Sequence, residues 1–263
     1  MNLDIENKVA LVTASSKGLG RASATALAQE GARVAICARD EQALRATAVE
    51  IGTATGAEIL AIPADVTQAD DIERLVEAVV SHFGALHILV TNAGGPPAGY
   101  FQDFDDQQWQ AGFNLTMMSA VRLIRVATPH MRQQQWGRII NITSVSVKEP
   151  LDALILSNSI RAAVHGMAKT LAGQLGQYGI TVNNVMPGTI HTDRVEQLAQ
   201  HQAGQTGQSV AEALAEMGRV VPLGRVGQPD ELGALVAFLA SERASYINGV
   251  SIPVDGGRTK GTF

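Results

Sequence analysis

The stretch Val9-Ala-Leu-Val-Thr-Ala-Ser-Ser-Lys-Gly-Leu-Gly20 is the part of the sequence that indicates the fold most clearly. Residues 9–13 have the length and apolar content of a buried strand, and a helical pattern over 18–30 follows the turn. Gly18 and Gly20 allow the backbone to approach a phosphate closely, and the N-terminus of the following helix offers N–H groups and a positive dipole end. A strand, a glycine turn and a helix in this order predict nucleotide binding.

The rest of the chain repeats this alternation of short apolar strands and longer helical patterns, such as the helix predicted over 40–52. Continuous apolar strands separated by helices indicate a parallel sheet covered on both faces. We predict one domain over 1–263 with a doubly wound (Rossmann) α/β fold of about seven strands, and ligands beyond the carboxyl ends of those strands. The further predicted strands are 33–38, 58–62, 87–91, 138–143, 181–185 and 250–254.

Composition narrows the function classes. The net charge is −5 and the chain has no long run of Lys or Arg, so we expect no nucleic-acid partner. A single cysteine, Cys37, argues against a disulfide framework or a multi-cysteine metal site, and we expect no metal. Residues 1–8 are acidic where a signal peptide is basic, and no run of roughly 18 apolar residues is present. We therefore expect a cytoplasmic protein with no membrane span.

Several motifs resemble the short-chain dehydrogenase/reductase family, in particular its 3-oxoacyl-carrier-protein reductase-like branch. The family's Thr-Gly-x-x-x-Gly-x-Gly turn is matched by residues 13–20, except that Ala14 replaces the first glycine. The other matches extend over nearly the whole chain; they are Asp65-Val66, Asn92-Ala-Gly94, Asn114, Pro187-Gly188 with Ile190 and Thr192, and Val254-Asp-Gly-Gly257.

The resemblance implies a dinucleotide site in which Asp65 and Val66 hold the adenine and the loop from Pro187 lies beside the nicotinamide. The residues that it assigns to cofactor binding, together with those predicted from the sequence, are Ser15, Ser16, Lys17, Gly18, Leu19, Gly20, Arg39, Asp65, Val66, Asn92, Ala93, Gly94, Arg161, Pro187, Gly188, Ile190 and Thr192.

The residues Cys37-Ala-Arg-Asp40, at the end of the second predicted strand, bear on the choice of dinucleotide. An acidic residue there accepts the ribose 2′-hydroxyl of NAD, whereas an arginine accommodates a 2′-phosphate. Bidentate Arg39 and the point charge of Lys17 favour NADP(H). Asp40 keeps NAD(H) as an alternative, and Arg39 and Asp40 could instead simply begin a solvated helix.

The family's catalytic Ser, Tyr and Lys are only partly present. Ser144 occupies the serine position, but Ser157 and Arg161 stand where Tyr and Lys are expected, and no tyrosine lies between Tyr100 and Tyr178. The resemblance implies that Ser144 polarises a substrate carbonyl and that Asn114 holds a relay water. Arg161 can still reach the ribose with a permanent charge. Ser157 is a far weaker acid than a phenol, so it is at best a relay.

The sequence therefore does not identify the group that delivers the proton. Losing a positioned general acid costs roughly 10²–10⁴ in rate. The alternatives are Tyr100 near the expected pocket mouth, His191 in the cofactor loop, and a water chain through Asn114, Ser157 and Arg161, with Lys148 and His165 less favoured.

We predict an NAD(P)(H)-dependent oxidoreductase that interconverts a small-molecule carbonyl and an alcohol, with an acyl thioester among the candidate substrates. The alternative is a catalytically inactive dinucleotide-binding protein, either a sensor or a partner subunit. Residues 191–220 are expected to form a substrate lid, since 196–217 are rich in Gln, Ala and Gly; a plain surface insertion is the other interpretation.

The family resemblance also implies a homo-oligomer, commonly a tetramer built as a dimer of dimers. Its subunits would pair through the helices at 115–133 and 162–176. Seven small residues in the second helix permit close packing, either with another subunit or with the chain's own sheet.

Overall fold

A computed structural model describes residues 2–262 as a seven-stranded parallel sheet with helices on both faces. The strands are β1 Val9–Val12, β2 Arg33–Ala38, β3 Ile59–Pro63, β4 Ile88–Thr91, β5 Gly137–Ile142, β6 Ile180–Pro187 and β7 Ser251–Val254. The helices are α1 Gly18–Gln29, α2 Glu41–Thr55, α3 Ala69–Phe83, α4 Asp106–Phe113, α5 Ser119–Gln134, α6 Ile155–Leu175, α7 Asp193–Thr206, α8 Val210–Arg219 and α9 Pro229–Leu239.

The strand order is β3-β2-β1-β4-β5-β6-β7, so the direction of winding reverses between β1 and β4. Residues of α1, α2 and α9 share one apolar core with the sheet, and residues of α3, α5 and α6 share a second core on the opposite face. The central strands are buried on both faces, which is why their sequences are continuously apolar rather than alternating. In such folds, the crevice at the reversal is where ligands bind.

The predicted fold class is confirmed, and each strand begins or ends within two residues of its predicted bounds. Helix α2 runs three residues beyond the predicted 40–52, because Gly56 ends it only there, in a left-handed conformation with φ +72°. The Gln- and Ala-rich segment folds as α7 and α8. Gly207 (φ +75°) ends α7, and the capping box of Ser209 and Glu212 begins α8.

Within residues 2–262, no helix combines the length and the apolar character needed to cross a bilayer.

Candidate active site

The glycine turn connects β1 to α1 at the winding reversal. Ala14 replaces the family's first glycine and still takes a left-handed conformation, φ +47°, as does Gly18 at +57°. A Cβ on Gly20 would lie 2.9 Å from the Cα of Ser15, so the turn closes tightly on the start of the helix. No side chain caps the N-terminus of α1, which starts after Lys17. Its uncapped N–H groups can therefore receive an anion.

Two predicted cofactor residues, Ser15 and Asn92, are tied into the scaffold around the glycine turn. The Ser15 hydroxyl donates to the Val12 carbonyl at 2.7 Å and accepts the Cys37 N–H at 3.1 Å, which attaches the turn to β2. The backbone of Asn92 exchanges hydrogen bonds of 2.6 and 2.8 Å with the Thr13 hydroxyl. These side chains are committed to the protein, so this part of the crevice presents backbone groups.

Three other predicted cofactor residues also contact the protein scaffold around the turn. The carbonyl of Ser16 accepts the Thr47 hydroxyl at 2.8 Å. Leu19 and Ala93 are partly buried, and each packs against one of the two apolar cores.

Of the charged residues after β2 and in the glycine turn, some already have a partner in the protein and one does not. Arg39 is exposed and makes no ion pair with the described residues. The Asp40 carboxylate accepts the Ala43 N–H at 3.0 Å and so caps α2. Lys17 pairs with Asp193 on α7 at 3.2 Å, which links the turn to the predicted lid. Arg39 is thus the free cation at the end of β2.

Asp65 and Val66 follow β3 at the outer end of the crevice. The Asp65 carboxylate accepts the N–H and the hydroxyl of Thr67, both at 2.9 Å, while its own N–H donates to Asp71. Val66 is 7% exposed. The turn is rigid, and Asp65 keeps part of its acceptor capacity.

The loop after β6 returns to the glycine turn. Pro187 ends the strand, and a Cβ on Gly188 would collide with Asp255 at 2.7 Å. Ile190 is 4% exposed in the core, so it offers a ligand its backbone only. The Thr192 methyl group lies 3.6 Å from the position of a Cβ on Gly18, which brings this loop over the turn.

Ser144 lies two residues after the end of β5. Its Oγ accepts the Ser146 N–H at 3.1 Å, and none of the described residues accepts the Ser144 hydroxyl hydrogen. Ser157, on the first turn of α6, is 7% exposed, and its Oγ lies 3.5 Å from that of Ser146 rather than in contact with Ser144. Ser144 therefore has a proton to donate toward the crevice, while Ser157 lies behind it.

Arg161, one helical turn after Ser157, bridges the ends of β4 and β5. Its guanidinium donates to the carbonyls of Ile142 and Thr143, both at 3.0 Å, and to that of Gly94 at 2.7 Å. The residue is 8% exposed, and its Nε has no partner among the described atoms. Burial, together with the charge of Arg194, lowers the pKa of Arg161 to about 10. The guanidinium is still protonated at neutral pH.

A row of polar side chains crosses the sheet behind this site. Thr91, Asn141, Asn184 and Ser251 are direct partners in the registers of β4 with β5, β5 with β6 and β6 with β7. Thr91 donates to Asn141 at 2.7 Å, Asn141 to Asn184 at 2.9 Å, and Asn184 to the Ser251 hydroxyl at 3.0 Å. Sequence reasoning missed this row, because it exists only through strand register.

His165, one turn after Arg161 on α6, completes the row. Its Nδ1 lies 3.0 Å from the Ser251 hydroxyl and its Nε2 lies 2.9 Å from that of Thr143, which donates on to Val185. A single assignment satisfies every group: Ser251 donates to Nδ1, and Nε2–H donates to Thr143. Burial and the charges of Arg161 and Lys148 lower the pKa of His165 to about 4. The ring is neutral and holds Thr143, whose carbonyl in turn holds Arg161.

Asn114 lies where α4 passes into α5 through a π-helical turn, Asn114–Met118. The backbone N–H of Ser119 donates to its carbonyl across that wide turn, and its side-chain oxygen accepts from Gln110 at 3.2 Å. The segment packs against α6, since a Cβ on Gly112 would meet Ile160 at 3.1 Å. Such π-turns are frequent at functional sites.

The fold places two of the alternative proton donors, Tyr100 and His191, in different surroundings. Tyr100 is 59% exposed; the Gly99 N–H donates to the Ala153 carbonyl at 2.7 Å, so Tyr100 lies at the rim beside the segment that enters α6. The ring of His191 pairs with Glu196 at 2.7 Å and lines a groove bordered by α1, α7 and α9. The pairing of His191 weakens the case for that residue.

The residues present fit a phosphate-bearing dinucleotide. The N-terminus of α1 is uncapped, Arg39 is a free cation, and a Cβ on Gly94 would meet nothing within 4 Å, so that backbone faces open space. Arg161 is a fixed buried cation at the inner end of this space. No group of three or more His, Cys, Asp or Glu side chains with metal-binding geometry occurs within residues 2–262.

This fold and site define a Rossmann-type oxidoreductase domain. A family model described as enoyl-(acyl carrier protein) reductase matches residues 13–259. The chain belongs to the short-chain dehydrogenase/reductase family.

Three relatives give the family context. The chain is 36% identical over 252 residues to the 3-oxoacyl-(acyl-carrier-protein) reductase FabG of Staphylococcus aureus, with 95% of this chain and 97% of that protein covered. The structure of L-sorbose reductase from Gluconobacter frateurii, complexed with NADPH and L-sorbose, superposes with a TM-score of 0.96 at 34% identity, covering 99% and 100% of the two chains. YwfH, an NADPH-dependent reductase involved in bacilysin biosynthesis, gives 0.92 at 30% identity, covering 97% and 100%.

Proposed function

We propose that this protein is an NADPH-dependent reductase that converts a small-molecule carbonyl compound into its alcohol. The observation that carries the proposal is the state of Ser144, whose oxygen is held by the Ser146 N–H while its own hydrogen has no acceptor in the part of the chain that the structure describes. A donor fixed in this way can stabilise the negative charge that develops on a carbonyl oxygen as the carbon is reduced. Ser144 is the oxyanion donor.

The preference for NADPH is supported by the groups after β2. Arg39 is free to bind a 2′-phosphate, and Asp40, the residue that would accept the 2′-hydroxyl of NAD, uses one carboxylate oxygen to cap α2. L-Sorbose reductase and YwfH, which share the fold, use NADPH. The pyrophosphate would lie at the N-terminus of α1, against Gly18 and Gly20.

The reduction needs a hydride at the carbonyl carbon and a proton at its oxygen. A bound nicotinamide supplies the hydride. Arg161, held by three carbonyls, would orient the ribose, and Asn114 would hold a relay water near the π-turn. Because Ser157 is too weak an acid to replace a phenol, the proton would come from water, and turnover is expected to be slow.

The test is NADPH consumption by the purified protein with 3-oxoacyl thioesters, ketones and quinones. Ser144→Ala should lower kcat/KM at least 100-fold, in keeping with the loss of one oxyanion donor, which costs roughly 10²–10³. Ser159→Ala is the matched control, because Ser159 is an exposed serine on the same helix as Ser157. It should leave kcat/KM unchanged. Full activity of Ser144→Ala would refute the proposed role.

A second candidate function, a non-catalytic NADPH sensor or partner subunit, is favoured by the position of Ser157. Its hydroxyl faces Ser146, and no phenol takes its place beside Ser144. Tight NADPH binding with no turnover on any substrate would support this candidate. The double change Ser157→Tyr with Arg161→Lys would then create activity that the parent lacks.

Residues 191–220 are proposed to form a lid that closes over the substrate.

We also propose a homo-oligomer whose subunits contact each other through the outer faces of α5 and α6. The two helices border a largely apolar groove of about 610 Å³, lined among others by Ile124, Met167 and Leu171. Burial of this groove against a second copy would follow the pairing that the family resemblance implies. Sedimentation velocity of the parent and of Leu171→Asp tests it: the parent should be a dimer or tetramer, and the variant smaller.

A further inference from the structure

Two arginines approach the same glycine at the inner end of the crevice. A Cβ on Gly95 would lie 2.5 Å from Nη1 of Arg194 and 3.9 Å from Nη2 of Arg161. Arg161 comes from α6 and is buried, whereas Arg194 comes from the first turn of α7 and is exposed. The Arg194 guanidinium therefore lies against the backbone at Gly95 and connects the predicted lid to the opposite wall.

Neither of these two cations forms an ion pair with a carboxylate among residues 2–262. Arg161 contacts carbonyl oxygens only, and Arg194 makes no ion pair with the described residues. The two acids in the first turn of α7 are engaged elsewhere, since Asp193 pairs with Lys17 and Glu196 with His191. Like charges held close in a partly buried site are unfavourable, so the arrangement favours an anion in the crevice.

The position of this charge separates it from the phosphate site. Thr192 lies against Gly18 of the glycine turn, where a pyrophosphate would bind. Arg194 reaches beyond that turn to Gly95, next to the carbonyl that Arg161 holds at Gly94. The Arg161 guanidinium also holds the carbonyl of Thr143, the residue before Ser144. The uncompensated charge is thus on the side of the crevice that holds the proposed oxyanion donor.

We propose that Arg194 and Arg161 together select substrates that carry a carboxylate, so that the reaction is the reduction of an oxo acid to a hydroxy acid. This inference rests on the proposed function and specifies its substrate class. An arginine fork binds a carboxylate through two parallel hydrogen bonds, and the exposed Arg194 is available for this contact. Arg161 adds a fixed charge behind it.

The test compares 2-, 3- and 4-oxo acids with their methyl esters by calorimetry on the protein saturated with NADP⁺, so that no turnover occurs. At least one acid should bind about tenfold more tightly than its ester. Arg194→Gln should reduce that ratio to below twofold, and Arg194→Lys should retain part of it. Arg219→Gln is the matched control, because Arg219 lies on the neighbouring α8 and faces Glu216 at 3.9 Å. It should keep the full ratio.

The outcomes are distinguishable. Equal affinity of the parent for every acid and its ester would overturn the inference, as would an unchanged ratio in Arg194→Gln. If Arg194→Gln weakens NADP⁺ itself and leaves the acid-to-ester ratio unchanged, the anion is the cofactor's phosphate and the inference is again wrong. A parent that does not bind NADP⁺ in the first titration refutes the proposed function as well.

Discussion

Arg39→Ala is expected to discriminate between the two reduced cofactors. In the structure Arg39 is exposed at the end of β2 and forms no ion pair within residues 2–262, while one carboxylate oxygen of Asp40 caps α2. A hydrogen bond to a charged group is worth about 1.5–3 kcal/mol, and solvent screening at an exposed site favours the lower half of that range. A loss of about 1.5–2 kcal/mol corresponds to roughly ten- to thirtyfold weaker binding of NADPH.

NADH lacks the 2′-phosphate, so its affinity should change by less than about twofold. The assay is fluorescence titration of NADPH and NADH at low and high salt, because an exposed ionic contact weakens as salt rises. Arg45→Ala is the matched control, since Arg45 lies one turn into α2 and already pairs with Glu41. It should leave both affinities unchanged.

An equal loss of NADPH and NADH affinity in Arg39→Ala would contradict a contact between Arg39 and the 2′-phosphate. So would an Arg45→Ala variant that binds NADPH as weakly as Arg39→Ala does. In either case the cation after β2 would not be reading the 2′-phosphate.

Three further predictions concern stability and catalysis. Stability should fall between pH 6.5 and 4, because the unfolded chain protonates His165 near its ordinary pKa while the folded chain, with a pKa of about 4, does not; after discounting for partial exposure the loss is about 1–2 kcal/mol. His165→Gln should remove that part of the loss in urea unfolding at pH 7 and 4.5, and an unchanged loss would contradict the neutral ring. Ala14→Gly should raise the free energy of unfolding by about 1 kcal/mol, since φ +47° suits glycine; a lower value would count against strain at Ala14. Ser157→Ala should lower kcat less than tenfold, because its 3.5 Å contact is with Ser146, and a larger drop would make Ser157 a relay.

Features that depend on residues close together in the chain could be predicted from the sequence, whereas features that depend on distant residues could not. The glycine turn and the buried strands are local patterns, so β1, α1 and the order of elements could be predicted from residues 9–20 and from apolar periodicity. The spacing of Ser157, Arg161 and His165 by four residues places them on one helix face, and that signal was present in the sequence.

Two features could not be predicted because they depend on distant pairings. The polar row from Thr91 to Ser251 forms only when four strands take one particular register, which no local pattern encodes. The approach of Arg194 to Gly95 depends on where α7 lies over the crevice. The substrate-side chemistry of the site is set by these long-range placements.

Calorimetric titration of the purified protein with NADPH is the decisive measurement for the dinucleotide site. We expect saturable binding of one NADPH per chain, with weaker binding of NADH. Absence of binding heat with NADPH, NADH and both oxidised forms, at more than one temperature, would contradict it.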